Sequence, residues 1–160
     1  MLFRSRFDYA EAWFNRANVL HILGKYEESL SSFENAIKLK PNYSDAWSNR
    51  GYLLQKMKRY QEALNSYDKA ININPNLIEA WSNRGIVLQY LKKYQLALES
   101  HDKAIKLNIH DSQSFYNRSL LRLTLKDFEG GFIDYKYRWN SKRSEEHTSE
   151  LQSRVDISYA

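Results

Sequence analysis

Residues 46–54 read Ala46-Trp47-Ser48-Asn49-Arg50-Gly51-Tyr52-Leu53-Leu54, and 34 positions later the chain reads Ala80-Trp81-Ser82-Asn83-Arg84-Gly85-Ile86-Val87-Leu88. Outward from this pair, the same step links Trp13, Trp47, Trp81 and Phe115. Asn15, Asn49, Asn83 and Asn117 lie two residues after each aromatic, and Arg16, Arg50, Arg84 and Arg118 come next. Leu20, Leu54 and Leu88 keep the period, as do Tyr26, Tyr60, Tyr94 and Phe128, and Ala36, Ala70 and Ala104. Pro41 and Pro75 close the first two units. A fixed period of roughly 20–50 residues is the signature of stacked repeats, in which no unit buries its apolar face alone.

Each unit reads as two short helices. In the second unit Ala46, Trp47, Arg50, Gly51 and Leu54 share one helical face. Lys56-Met57-Lys58-Arg59 interrupts the stripe, and Ala63, Leu64, Tyr67, Ala70 and Ile71 form a second one with steps of three and four. Asn74-Pro75-Asn76 stops the second helix, because proline cannot continue it and disfavours helix at the residue before. Gly51, Ala63 and Ala70 are small enough for the helices to approach closely, with the Trp, Leu and Tyr columns filling the gaps around them.

Trp47, Gly51, Leu54, Tyr60, Ala63, Tyr67, Ala70 and Pro75 resemble the tetratricopeptide repeat pattern. The resemblance covers about four units, near 10–43, 44–77, 78–111 and 112–142. It implies an all-α fold: a right-handed superhelical solenoid of antiparallel helix pairs. The departures are Arg in place of Leu after each Asn, Ser29 in a small-Ala slot, His101 in a large-aromatic slot and Ile109 for Pro. In the fourth unit Ser119 replaces Gly and Arg122 replaces Leu. The Arg column has two readings, pairing with Asp or Glu of a neighbouring unit or presenting charge to a ligand; its place beside the core columns favours pairing.

The chain has 160 residues with 42% hydrophobic and 14% aromatic content, enough to bury a core. Having no Cys, it excludes a disulfide scaffold, a thiolate metal site and a Cys nucleophile. No run approaches the length of a membrane span. Residues 143–160 and Met1-Leu2-Phe3-Arg4-Ser5 resemble translated sequencing adapter, so 6–142 is treated as the native repeat array. That segment holds 21 Lys+Arg and 15 Asp+Glu, a formal +6. Both natural termini are then expected to be missing, and a cytoplasmic location is the default expectation.

The sequence holds no phosphate-binding loop, no zinc-protease motif, no dinucleotide fingerprint and no nucleophile elbow. His21 has no partner at metal-ligand spacing, His110 sits in an inter-repeat turn, and His101 fills a packing slot. The expectation is a non-catalytic scaffold without cofactor or metal. The resemblance implies that first helices line a concave groove, which places Phe14, Asn15, Asn18 and His21 there. Ser48, Asn49, Tyr52, Gln55 and Lys56 would follow, then Ser82, Asn83, Ile86, Gln89 and Tyr90, then Tyr116, Asn117, Leu120 and Thr124. An amide offers both a donor and an acceptor, so the Asn column is suited to an extended peptide's backbone. A similar asparagine ladder occurs in O-linked N-acetylglucosamine transferases. Bridging between neighbouring repeats is the equal alternative for this column. The basic clamp with which chaperone-docking members of the family hold a terminal carboxylate is missing, since its slots hold Phe14, Asn18, Asn49, Glu79 and Asn83.

Residues 127–139 are similar to a segment that closes the repeat array of bacterial proteins in which a glycosyltransferase domain often follows. Phe132, Tyr135, Tyr137 and Trp139 would then dock on such a domain, and the chain would be its substrate-recruiting arm. An ordinary aromatic-rich terminal repeat is the alternative. Gly130-Gly131 predicts an irregular start to the last helix. Lys38, Lys40, Lys56, Lys58, Arg59, Lys92, Lys93 and Lys126 cluster near helix ends, where the helix dipole favours cations, so no nucleic-acid ligand is expected.

Overall fold

The structure, a computed structural model, describes the backbone of residues 2–137 and the side chains of residues 9–137. Trp139 and the 143–160 segment lie outside the described residues. The helices are α1 (Leu2–Ile22), α2 (Tyr26–Leu39), α3 (Ser44–Lys56), α4 (Tyr60–Ile73), α5 (Ile78–Tyr90), α6 (Tyr94–Leu107) and α7 (Ser112–Thr124). A last helix, α8, runs over 128–137. No strand occurs among the described residues. α1 begins at Leu2, ahead of the first repeat unit at Ala10.

The turn inside each unit has one design. Gly24, Lys58, Lys92 and Lys126 all take positive φ, at 74°, 60°, 58° and 65°. Around Lys58, the Lys58 N–H donates to the Gln55 carbonyl and the Arg59 N–H to the Leu54 carbonyl, the paired bonds of a Schellman cap. Between units, α4 stops before Pro75, and the Trp81 indole N–H donates to the Pro75 carbonyl at 2.8 Å. Trp47 does the same to Pro41 at 3.0 Å. Both indoles are therefore half-buried latches on the turn, rather than deep core residues.

The core lies between the helices of each pair and of the next. Leu53, Leu54, Tyr67, Val87 and Leu88 are wholly buried. Burying a side chain of that size stabilises by about 1.5–3 kcal/mol. A Cβ on Gly51 would lie 2.9 Å from the Tyr67 ring, and one on Gly85 would lie 2.5 Å from the His101 ring, so glycine lets each ring sit on the helix backbone. Ser29, in its small-residue slot, is buried and donates to the Ala17 carbonyl.

The Arg column pairs as the sequence suggests. Arg50 donates to Ser66 in its own unit at 2.7 Å and to Glu34 of the preceding unit at 3.0 Å. Arg84 repeats this with Ser100 and Asp68, both at 2.7 Å. Arg118 reaches Asp134 and Asp102, and Arg16 reaches Ser32. Each arginine thus ties its own helix pair and, from the second unit on, the preceding one.

The irregular start expected at Gly130-Gly131 does not occur. Helix begins at 128, and the Asp127 carboxylate accepts from the Gly130 N–H at 3.0 Å. A Cβ on Gly131 would come 2.7 Å from the Leu123 side chain, so the glycine serves close packing against α7 and not a break.

Candidate partner-binding groove

The sense of curvature follows from which helices touch. α1 contacts α3, α3 contacts α5 and α5 contacts α7, whereas α2 and α4, or α4 and α6, do not meet. Odd-numbered helices are therefore drawn together on the inside of the bend. The Asn column faces this inner side, because its hydrogen bonds join odd-numbered helices. Asn49 Nδ2 donates to Asn18 Oδ1 at 3.0 Å, and Asn117 Nδ2 reaches Ser82 Oγ at 3.5 Å.

The column is not uniform. Asn49 and Asn117 bridge neighbouring units, and Asn117 is buried, also accepting from Gln113 at 2.9 Å. Asn83 is half-buried and Asn15 exposed, and neither makes a side-chain hydrogen bond among the described residues. Ser48 and Ser82, expected on the groove surface, are buried. They lie one residue ahead of the Asn column, a helical step that turns them into the seam between odd-numbered helices.

Beyond the Asn column the inner wall is aromatic. Tyr60 and Tyr90 stack with centroids 4.5 Å apart and planes 5° off parallel. His21 packs on Tyr26 and Tyr52, and the Lys56 ammonium sits 5.2 Å from the Tyr52 ring centre. Phe14 contacts Phe33 and Tyr43, so much of its ring is used in packing. Gln55 accepts from the Tyr67 hydroxyl at 3.1 Å, and Gln89 lies 2.9 Å from His101 Nε2. Tyr116 is half-buried on α7.

A cavity of about 400 Å3 opens where α5, α6 and α7 converge. Ile86, Gln89 and Tyr90 come from α5, Tyr94 from α6, and Asn117, Leu120, Leu121 and Thr124 from α7. None is charged. Tyr60 and Tyr94 were read from the sequence as repeat-core residues, and the structure adds them to the groove wall. Their signal was the Tyr column itself, at the start of each second helix.

A larger hollow of about 470 Å3 lies between Trp81 and Arg84 of α5 and Glu99, Asp102 and Lys103 of α6. Its counterpart at Trp47 and Arg50 measures about 350 Å3. Trp81 and Asn83 point to opposite sides of α5, so these hollows lie off the groove. Their charged groups are already paired, Arg84 with Asp68, Asp102 with Arg118 and Arg50 with Glu34.

Phe132, Tyr135 and Tyr137 on α8 are exposed, with Tyr137 stacked on Phe115 at 5.2 Å. Among the described residues no helix is long and apolar enough to cross a membrane, and no His, Asp and Glu cluster could hold a metal ion.

The fold and groove define a helical-repeat solenoid. The tetratricopeptide repeat model matches residues 10–43, 44–77 and 78–111, and the chain belongs to that family. The matched units stop before the fourth, which α7 and α8 complete in the structure. A comparison with curated proteins finds no match. Similar solved structures include MamA from Desulfovibrio magneticus RS-1, 21% identical with TM-score 0.78 over 84% of this chain and 76% of that one. The Arabidopsis OM64 repeat domain is 19% identical with TM-score 0.72, over 74% of this chain and 98% of that one. The first repeat domain of Spaghetti (RPAP3), bound to the HSP90 peptide SRMEEVD, is 18% identical with TM-score 0.73, over 74% and 94%.

Proposed function

We propose that the chain is a non-catalytic interaction module that holds an extended segment of a partner protein in the groove formed by α1, α3, α5 and α7. The observation that carries this reading is Asn83, a half-buried amide with no side-chain partner among the described residues, one helical turn before Ile86 of the uncharged cavity. An amide so placed can exchange two hydrogen bonds with a peptide backbone. Each bond contributes about 0.5–1.5 kcal/mol net, so affinity must come mainly from side chains entering the cavity. The peptide-bound RPAP3 structure supports the reading by showing that a related fold accepts a peptide.

The test is selection of a displayed random peptide library on the folded chain, followed by titration of the winners. Winners that lose tenfold or more of their affinity on Asn83→Ala support the groove. Winners indifferent to both Asn83→Ala and Tyr90→Ala would remove it.

A second reading rests on the exposed Phe132 and Tyr135 of α8: the array is the recruiting arm of a larger glycosyltransferase. The reading frame past Lys142 tests it, since a nucleotide-sugar-binding domain there supports the arm and a stop codon or further repeats removes it.

A further inference from the structure

The inner face of the array is acidic on one flank although the chain as a whole carries +5. Glu11, Asp45 and Glu79 each lie four residues ahead of an Asn of the column, on the same helix face. All three are exposed, and none joins an ion pair among the described residues. Glu11 and Asp45 both act on Tyr43, and the Lys40 ammonium sits 4.4 Å from the Tyr43 ring centre. The position matching Lys40 one unit later is Asn74, so Glu79 lacks that cationic neighbour.

On α5 the groups form one stripe: Glu79, Asn83, Ile86 and Tyr90, at steps of four, three and four. The Cβ atoms of Glu79 and Asn83 therefore stand about 6 Å apart on the helix surface. Tyr90 lies about 16 Å from Glu79 along the axis. An extended chain bonded to Asn83 sends successive side chains to opposite sides. One side meets the carboxylate and the other meets the uncharged cavity.

We infer that the groove selects extended peptides in which basic residues alternate with large apolar ones, the base facing Glu79 and an apolar side chain filling the cavity between α5, α6 and α7. This rests on the groove reading above. The cavity suits such a residue because Ile86, Leu120 and Leu121 supply apolar wall, Tyr90 supplies a ring face, and no charge must be desolvated. An acidic peptide is disfavoured because Glu79 repels it and Lys56 is the only cationic side chain among the groove residues named above.

The test uses four fluorescein-labelled peptides and fluorescence polarisation on the full chain at low and physiological salt. The first is a capped decapeptide alternating lysine with leucine and carrying one central tryptophan. The second replaces its lysines by glutamate, the third replaces its apolar residues by serine, and the fourth is SRMEEVD. The first is expected to bind at least fivefold more tightly than the glutamate version and tenfold more tightly than the serine version. SRMEEVD is expected to bind no better than the glutamate version. Glu79→Lys should invert the charge preference, Glu79→Gln should level it, and Tyr90→Ala should weaken the first peptide tenfold, with helicity of each variant checked by circular dichroism.

Glutamate or serine versions that bind as tightly as the first, in a manner lost on Asn83→Ala, overturn this inference and leave the groove standing. Binding of the first peptide that ignores Asn83→Ala, Tyr90→Ala and Glu79→Lys, or no binding by any of the four, overturns both.

Discussion

Arg118 grips Asp134 with two parallel hydrogen bonds, Nε to Oδ2 at 2.7 Å and Nη2 to Oδ1 at 2.6 Å, and the aspartate side chain is only 2% exposed. In the three earlier units this slot holds Ser32, Ser66 and Ser100, which take a single bond from the matching arginine. Arg122 approaches Asp134 as well, at 3.2 Å. The last helix pair is therefore joined by a buried anion between two guanidiniums.

Losing Asp134 leaves Arg118 with the exposed Asp102 and Arg122 with the exposed Asp127, and breaking a buried pair costs about 3–5 kcal/mol. Asp134→Ala is accordingly expected to release α8 from α7 while the first three units stay folded, because repeat arrays are coupled mainly to nearest neighbours. Hydrogen exchange resolved by peptide checks this: faster exchange confined to residues 112–137 agrees, and unchanged protection there refutes the role of the pair.

His101 occupies the slot of Phe33 and Tyr67, is wholly buried, and its Nδ1 has no hydrogen-bond partner. Burial, with a lesser push from Arg118, holds its pKa down at about 4 against an ordinary 6.5. The unfolded chain therefore takes up the proton first as pH falls. The stability tied to neutral His101 is complete above pH 6.5, erodes between 6.5 and 4, and amounts to about 3 kcal/mol. His101→Tyr copies Tyr67, whose hydroxyl bonds Gln55, the counterpart of Gln89. Chemical denaturation at pH 7 and pH 4.5 should show that variant losing less stability on acidification than the parent. An equal loss in both proteins would contradict the assignment.

Lys58, Lys92 and Lys126 hold left-handed backbone where the first unit has Gly24. An L side chain pays roughly 1–2 kcal/mol there, partly offset because glycine is freer in the unfolded chain. Lys58→Gly and Lys92→Gly are each expected to stabilise by about 0.5–1 kcal/mol, seen as a raised melting temperature. A lowered one would mean that the lysine side chains make compensating contacts.

Asn49 and Asn83 share a column but not a role. Asn49→Ala deletes an inter-unit bond and should cost about 1 kcal/mol, whereas Asn83→Ala should change stability by less than about 0.5 kcal/mol. Urea titration of both variants decides between a common structural role and the split described.

The 34-residue period, the two helices per unit and the pairing of the Arg column with an acidic residue of a neighbouring unit were legible in the sequence. Spacing alone places residues on a helix face, and these features need nothing more. The start of α8 was misread, because the Gly130-Gly131 pair looks like a break until Leu123 is seen pressing on Gly131. Trp47 and Trp81 pack against the core as their column implies, but their half-burial was not legible, since the carbonyl that each indole reaches belongs to the preceding turn.

The sequence by itself determined the repeating brick and its core columns, because those depend on contacts within one helix pair and on a strict period. Only the tertiary structure decided that Asn83 is free while Asn49 and Asn117 are engaged, that Ser48 and Ser82 lie in the seam, and that Tyr60 comes to stack on Tyr90. The reason is physical: whether a column faces solvent or a neighbour depends on how one unit is rotated against the next. That rotation is set by through-space packing of side chains that differ from unit to unit, such as Asn18, Tyr52 and Ile86 in a single repeat position.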